Sequence, residues 1–327
     1  MPPSIIAPAE RTSRWRKRTC PHTRVPSPKR SARIIRSSSR TTIHPRSPLV
    51  PVNSETAEQR RPIGVFDSGI GGLTVVSALR ALLPNESIFY LGDTARVPYG
   101  GKSATTVQRY SLEIAKILLQ ENAKTVVVAC NTASAVALTR LTESVPVSVT
   151  GVILPGAQAA VAATRTGHIG VIGTRATINS GAYERALRSL ESQIVVTARA
   201  CPLLVPLIEE GWLESKITDE IIMQYLGPLV DEGIDTLVLG CTHYPLLRNA
   251  IARLLGSDIT LVDSAQNCAN AVRELLIREN LRAPEANAGS LQVALTDPPD
   301  NFLRVAREAL QLEVGEVQLR EVTSHAP

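Results

Sequence analysis

TVVVACNTAS, residues 125–134, is the stretch from which the fold of this chain is read. Four apolar or β-branched residues lead to Ala129 and Cys130, and four small or polar residues follow. Valine on both faces of so short a run predicts a strand covered on both sides, as in a parallel sheet. The polar residues after it fall at the carboxyl edge of that strand, where open α/β sheets bind ligands. The pattern recurs 111 residues further on as TLVLGCTH, 236–243: Thr, an apolar run, a small residue, then Cys241 and Thr242. Two thiols presented alike at two strand ends point to a reaction that uses both.

The 327 residues suffice for two domains of ordinary size. With 44% hydrophobic residues but only 3% aromatic ones, the cores have to be built from Val, Leu, Ile and Ala. No apolar run approaches the roughly 20 residues of a membrane span. The net charge of +5 is unevenly distributed. Residues 1–61 carry 14 Lys/Arg against 3 Glu, whereas 62–327 carry 21 Lys/Arg against 27 Asp/Glu. The basic character belongs to the amino-terminal extension, and the body, at −6, does not read as a nucleic-acid-binding surface. The five cysteines, 20, 130, 201, 241 and 268, are odd in number and widely spaced, which excludes a disulfide framework or CxxC pair and favours a reducing, cytoplasmic setting.

Residues 1–61 are rich in Arg, Ser and Pro and have no hydrophobic period, so they are expected to be disordered. A basic arm touching nucleic acid or another anion, an organelle transit peptide, and an upstream start assignment remain open for them. From 62 onward strands and helices alternate. Strands are expected at 63–66, 88–91, 125–129, 145–149, 168–173, 194–198, 236–240, 259–262 and 291–296. Helices are expected at 73–83, 103–120, 134–142, 157–163, 176–190, 215–232, 245–255, 265–279 and 302–310. Residues 201–212 read as a Pro-punctuated connection carrying Glu209 and Glu210. This alternation predicts an α/β fold of two related domains, each a mostly parallel sheet flanked by helices, with the active site in the cleft between them.

A cysteine that closes a strand and opens a helix lies near free N–H groups and the positive end of the helix dipole, both of which favour a thiolate. Cys130 has that setting, and Cys241 has it with His243 two residues on; otherwise either is a small buried hydrophobe. Cys20, Cys201 and Cys268 lack this setting and read as structural or incidental. A metal site using Cys241, His243, Cys130 and Asp67 lacks the short ligand pair that anchors zinc. The turn DSGIGG, 67–72, is neither a P-loop nor GxGxxG, and Asp67 at its mouth would repel phosphate. Asp67 is either an acid/base auxiliary or a turn cap. Two thiols facing one cleft suit a two-base proton transfer at a carbon acid. One removes the proton, the other delivers one to the opposite face, and Asn131, Thr132 and Thr242 would steady the developing charge.

VFDSGIGGLTV (65–75), YLGDTARVPYGGKS (90–103), VVACNTASA (127–135), CPLLVPLIEEG (201–211), LVLGCTHYPLL (237–247) and VDSA (262–265), in this order, closely resemble the glutamate racemases of the aspartate/glutamate racemase superfamily. The resemblance runs from about residue 62 to the carboxyl terminus. It implies cofactor-independent interconversion of L- and D-glutamate, supplying D-glutamate for peptidoglycan. It also implies Cys130 and Cys241 as acid/base residues, Asp67 and His243 as auxiliaries, and Glu209 as a further one. Substrate contacts would come from Asp67, Ser68, Tyr99, Gly100, Asn131, Thr132, Thr242 and His243. The implied domains are 62–152 plus 264–327, and 153–263. The implied enzyme is a cytoplasmic homodimer with no metal, no membrane partner and no nucleic-acid partner for the body. The basic extension departs from the family pattern. A racemase of aspartate or another amino acid, or a non-catalytic binding protein with a nucleic-acid-binding tail, are the competing readings.

Overall fold

The computed structural model describes residues 56–297, 306–307 and 311–322. Its elements are β1 Ile63–Asp67, α1 Leu73–Leu82, β2 Ile88–Gly92, α2 Ala104–Gln120, β3 Thr125–Val128, α3 Asn131–Ser144, β4 Val149–Gly151 and α4 Ile153–Ala163. There follow β5 His168–Gly173, α5 Arg175–Asn179, α6 Ala182–Leu190, β6 Val195–Ala200, α7 Leu204–Glu209, α8 Lys216–Asp231, β7 Thr236–Gly240 and α9 Arg248–Leu255. The last are β8 Thr260–Asp263, α10 Ser264–Arg278, β9 Leu291–Leu295 and β10 Val317–Leu319. Among the described residues no helix is long and apolar enough to cross a membrane.

The strands form two sheets, β10-β9-β2-β1-β3-β4 and β6-β5-β7-β8, and every pairing is parallel. Helices cover both faces of each sheet, giving two α/β domains. Strand periodicity sorts the side chains. In β1, β3 and the residue after β3, Ile63, Val65, Val127 and Ala129 pack toward α1 and α10, while Phe66, Val126 and Val128 pack toward α2 and α3. In β7, Leu237 and Leu239 pack toward α7, α8 and α9, and Val238 packs toward α4 and α6. Cys130 falls in phase with Val126 and Val128, and Cys241 with Leu237 and Leu239. Each thiol thus continues the buried face of its own strand.

Several expectations change in detail. Helix α3 begins directly after Cys130, because Ser134 N bonds to Cys130 O (2.8 Å) and the Ser134 hydroxyl bonds back to Val128 O (2.9 Å). Strand β4 starts later than expected, beyond Pro146, and pairs Val149 with Val126. The helix expected at 176–190 is broken by Gly181, whose φ of +64° ends one segment and opens the next. The connection 201–212 contains α7, which tolerates Pro206 because it lies in the first turn, where N–H groups have no intrahelical acceptor. Strand β10 was not expected; it is a three-residue edge strand, too short to carry a periodic signal. The helix expected at 302–310 lies outside the described residues except for Ala306 and Arg307, as does the extension 1–61 except for its last six residues.

The amino-terminal edge of the first sheet is held by a buried ion pair. Lys124 Nζ donates to Glu86 and to the carbonyls of Gln59 (2.7 Å) and Leu281 (2.8 Å), and Ala283 N donates to the other Glu86 oxygen (2.7 Å). Removing one partner of such a pair leaves the other charge buried. Lys124→Met is therefore expected to lower the free energy of unfolding by about 3–5 kcal/mol. Urea denaturation followed by circular dichroism measures this, and a loss of less than about 1 kcal/mol would mean the pair is solvated.

Candidate active site

The carboxyl ends of β1, β3, β5, β6 and β7 and the loop after β2 surround one cavity of about 300 Å³. Ser68, Tyr99, Gly100, Cys130, Asn131, Thr132, Glu209, Cys241, Thr242 and His243 line it, drawn from both domains. Of the residues singled out in the sequence, Asp67 alone stays outside the lining. It ends β1 fully buried, and its Oδ2 accepts from Gly69 N (3.2 Å) and Gly72 N (2.9 Å). Its other oxygen accepts from the Thr242 hydroxyl at 3.5 Å, so the carboxylate caps the turn and ties it to the second domain.

The glycines of that turn are explained by contact. A Cβ on Gly71 would lie 2.4 Å from His243 Nδ1 and 2.5 Å from Thr242 Oγ1. One on Gly100 would lie 2.6 Å from Thr174 Cβ. Both are places where one domain's backbone lies directly against the other domain's side chains. The Thr74 hydroxyl, which also bonds to Gly71 O, crosses the same junction to Thr242 O (3.1 Å).

The two thiols are nearly inaccessible, 4% exposed for Cys130 and 5% for Cys241. Cys130 Sγ lies 3.7 Å from the Ser68 hydroxyl and receives the Ala133 N–H at the start of α3. The helix terminus expected to favour a thiolate is present, but it is outweighed. Burial first, and then the Asp67 carboxylate, push the Cys130 thiol well above its ordinary range. Cys241 Sγ lies 3.9 Å from His243 Nδ1, while His243 Nε2 meets Glu209 Oε1 at 3.1 Å. Burial alone would neutralise the His243 ring. Its bonds to Cys241 and Glu209 overcome that and hold it protonated up to about pH 10.

The surrounding polar groups are already oriented. Asn131 Oδ1 accepts from the Tyr183 hydroxyl (2.7 Å), and its amide donates to Ser264 Oγ (3.4 Å). Thr132 Oγ1 lies 2.9 Å from Thr174 Oγ1 and 3.3 Å from Thr177 Oγ1, a ring of hydroxyls joining the domains. The Tyr99 hydroxyl is taken by Asp93, which also holds Arg96; Tyr99 therefore offers the cavity its backbone rather than its phenol.

Several lining residues were not singled out as site residues in the sequence, three of them at strand ends. Thr174 and Arg175 follow β5, and Cys201 follows β6. The carboxyl-edge rule applied to every strand would have found all three. Cys201, read as structural from sequence, lies in the cavity wall, where burial raises its thiol to about 12.

Residues 73–272 match the Asp/Glu/Hydantoin racemase family. The glutamate racemase of Geobacter metallireducens is 48% identical over 257 residues, covering 79% of this chain and 95% of that protein. That of Neisseria meningitidis is 45% identical, covering 81% and 98%. The crystal structure of the Francisella tularensis glutamate racemase in complex with D-glutamate aligns with a TM-score of 0.77 at 37% identity, covering 82% of this chain and all of that one. The chain belongs to the Asp/Glu/Hydantoin racemase family and, within it, to the glutamate racemases.

Proposed function

We propose that this enzyme interconverts L- and D-glutamate by two-base proton transfer between Cys130 and Cys241, and that the D-glutamate formed supplies peptidoglycan synthesis. The observation that carries the reading is that these two buried thiols, on strands of different sheets, line one cavity. The domain division 62–152 plus 264–327, against 153–263, belongs to the same proposal. It is supported by the strands from Ile63 to Gly151 and from Leu291 to Leu319 forming one sheet and those from His168 to Asp263 the other.

In the resting enzyme Cys130 is a thiol, kept so by burial and by Asp67. Cys241 lies against the His243 imidazolium, a counter-charge for a developing thiolate, and opens the reaction as the base. Its sulfur takes the α-proton of one enantiomer, and the electron pair of the C–H bond stays on the α-carbon, delocalised into the carboxylate. The Cys130 S–H then gives its proton to the opposite face. The enzyme is left with Cys241 as thiol and Cys130 as thiolate, which is the starting state for the other enantiomer. Ser68, Asn131, Thr132, Thr242 and the backbone at Tyr99 and Gly100 hold the substrate, with donors placed where charge develops. Asp67 and Glu209 act as positioning residues, through Thr242 and His243 respectively.

L-Glutamate incubated with the enzyme in D2O, without added cofactor, is expected to lose its α-proton NMR signal and to yield D-glutamate. Turnover of aspartate but not glutamate would redirect the substrate assignment. Cys130→Ala and Cys241→Ala should each lower turnover by about 10²–10⁴-fold, and full activity in either would refute the two-thiol mechanism. The imidazole of His243, followed by NMR, should stay protonated until about pH 10. In Cys241→Ala its pKa should fall, because burial favours the neutral ring and one of the bonds opposing burial is gone. An unchanged titration would show that Cys241 does not hold the His243 proton.

A further inference from the structure

We infer that Arg175 is an entry cation that draws the anionic amino acid into the cavity and favours dicarboxylates over neutral amino acids, an inference that rests on the proposed substrate. Arg175 opens α5 directly after Thr174, at the carboxyl end of β5. It is exposed, and it is the one Lys or Arg among the described residues that line the cavity. Among those residues no hydrogen bond or ion pair engages its guanidinium. The other charges of the lining are accounted for: Glu209 faces His243, and His243 faces Cys241. The remaining polar groups are neutral hydroxyls, amides and backbone, which bind a carboxylate at contact but exert little pull at a distance.

Glutamate carries two carboxylates and one ammonium, and residues 62–327, which form the cavity, have a net charge of −6, so that body offers the anion no net attraction of its own. The two sulfurs are only 4% and 5% exposed, so the α-carbon has to travel past the rim to reach them. A guanidinium in the wall of that passage, without an ion-pair partner among the described residues, acts on every incoming anion. At a solvent-exposed rim a unit charge pair at close range is worth about 1 kcal/mol, or about fivefold in association. The effect is a local field with a planar five-donor fork, distinct from the neutral donors that hold the substrate during proton transfer.

The test is kcat/KM for L-glutamate at ionic strengths of about 0.01 M and about 1 M, where the Debye length falls from ~30 to ~3 Å. Arg175→Gln is expected to lose about three- to tenfold at low salt, mainly through KM, with the gap closing at high salt. Arg175→Lys should retain most of the wild-type value. Arg253→Gln, an equal change of net charge at a residue paired with Asp219 outside the cavity lining, should behave as wild type. The inference is overturned by an Arg175→Gln variant indifferent at low salt, by a Lys variant as poor as Gln, or by an equal loss in Arg253→Gln. No turnover by the wild type would overturn the substrate reading and the inference with it. Wild-type turnover with an indifferent Arg175 would overturn the inference alone.

Discussion

The approach of Gly71 to the His243 ring is the constraint around which the site is arranged. With a Cβ position only 2.4 Å from Nδ1, the turn after β1 can close on the segment after β7 only without a side chain at residue 71. The Thr74 hydroxyl and the Asp67 carboxylate fasten the same junction, through Thr242 O and Thr242 Oγ1. These contacts bring the carboxyl edges of two separate sheets within one cavity. A second junction, Gly100 against Thr174, also lies at the cavity wall.

Burial governs the chemistry of the thiols more than the helix dipole does. A sulfur at the amino end of α3 is favoured as a thiolate by the Ala133 N–H, yet desolvation and Asp67 keep Cys130 protonated. Cys241 differs in having a protonated imidazole beside it, held by Glu209 from the far side. The two thiols therefore differ in their neighbours, Cys130 facing the Asp67 carboxylate and Cys241 the His243 ring. The proposed two-base transfer draws on that difference in surroundings.

The glycine-rich turn and the cysteine-ended strands were legible in the sequence because their signals are local. Valine on both faces of 125–128 marks a strand covered on both sides, and a Cys followed by Asn-Thr or Thr-His marks a polar carboxyl edge. Element limits near Cys130, Pro146 and Gly181 were less legible, since each depends on where one hydrogen bond, one proline or one positive φ falls. The place of Cys201 in the cavity wall was not legible either. Its nearest sequence signals, Pro202 and Pro206, speak of a connection, while its place in the cavity wall comes from β6 lying beside β5.

The sequence by itself determined the alternation of strands and helices, the matched pair of thiols and the residues that carry the family resemblance. Each of these is written within a few positions of chain. Only the tertiary structure decided that Asp67 caps a turn behind the cavity, that the Tyr99 hydroxyl is spent on Asp93, and that Arg175 stands in the cavity wall with no ion-pair partner among the described residues. Those outcomes depend on which groups from distant segments compete for one hydrogen bond or one patch of solvent, and that competition exists only once the two sheets have met.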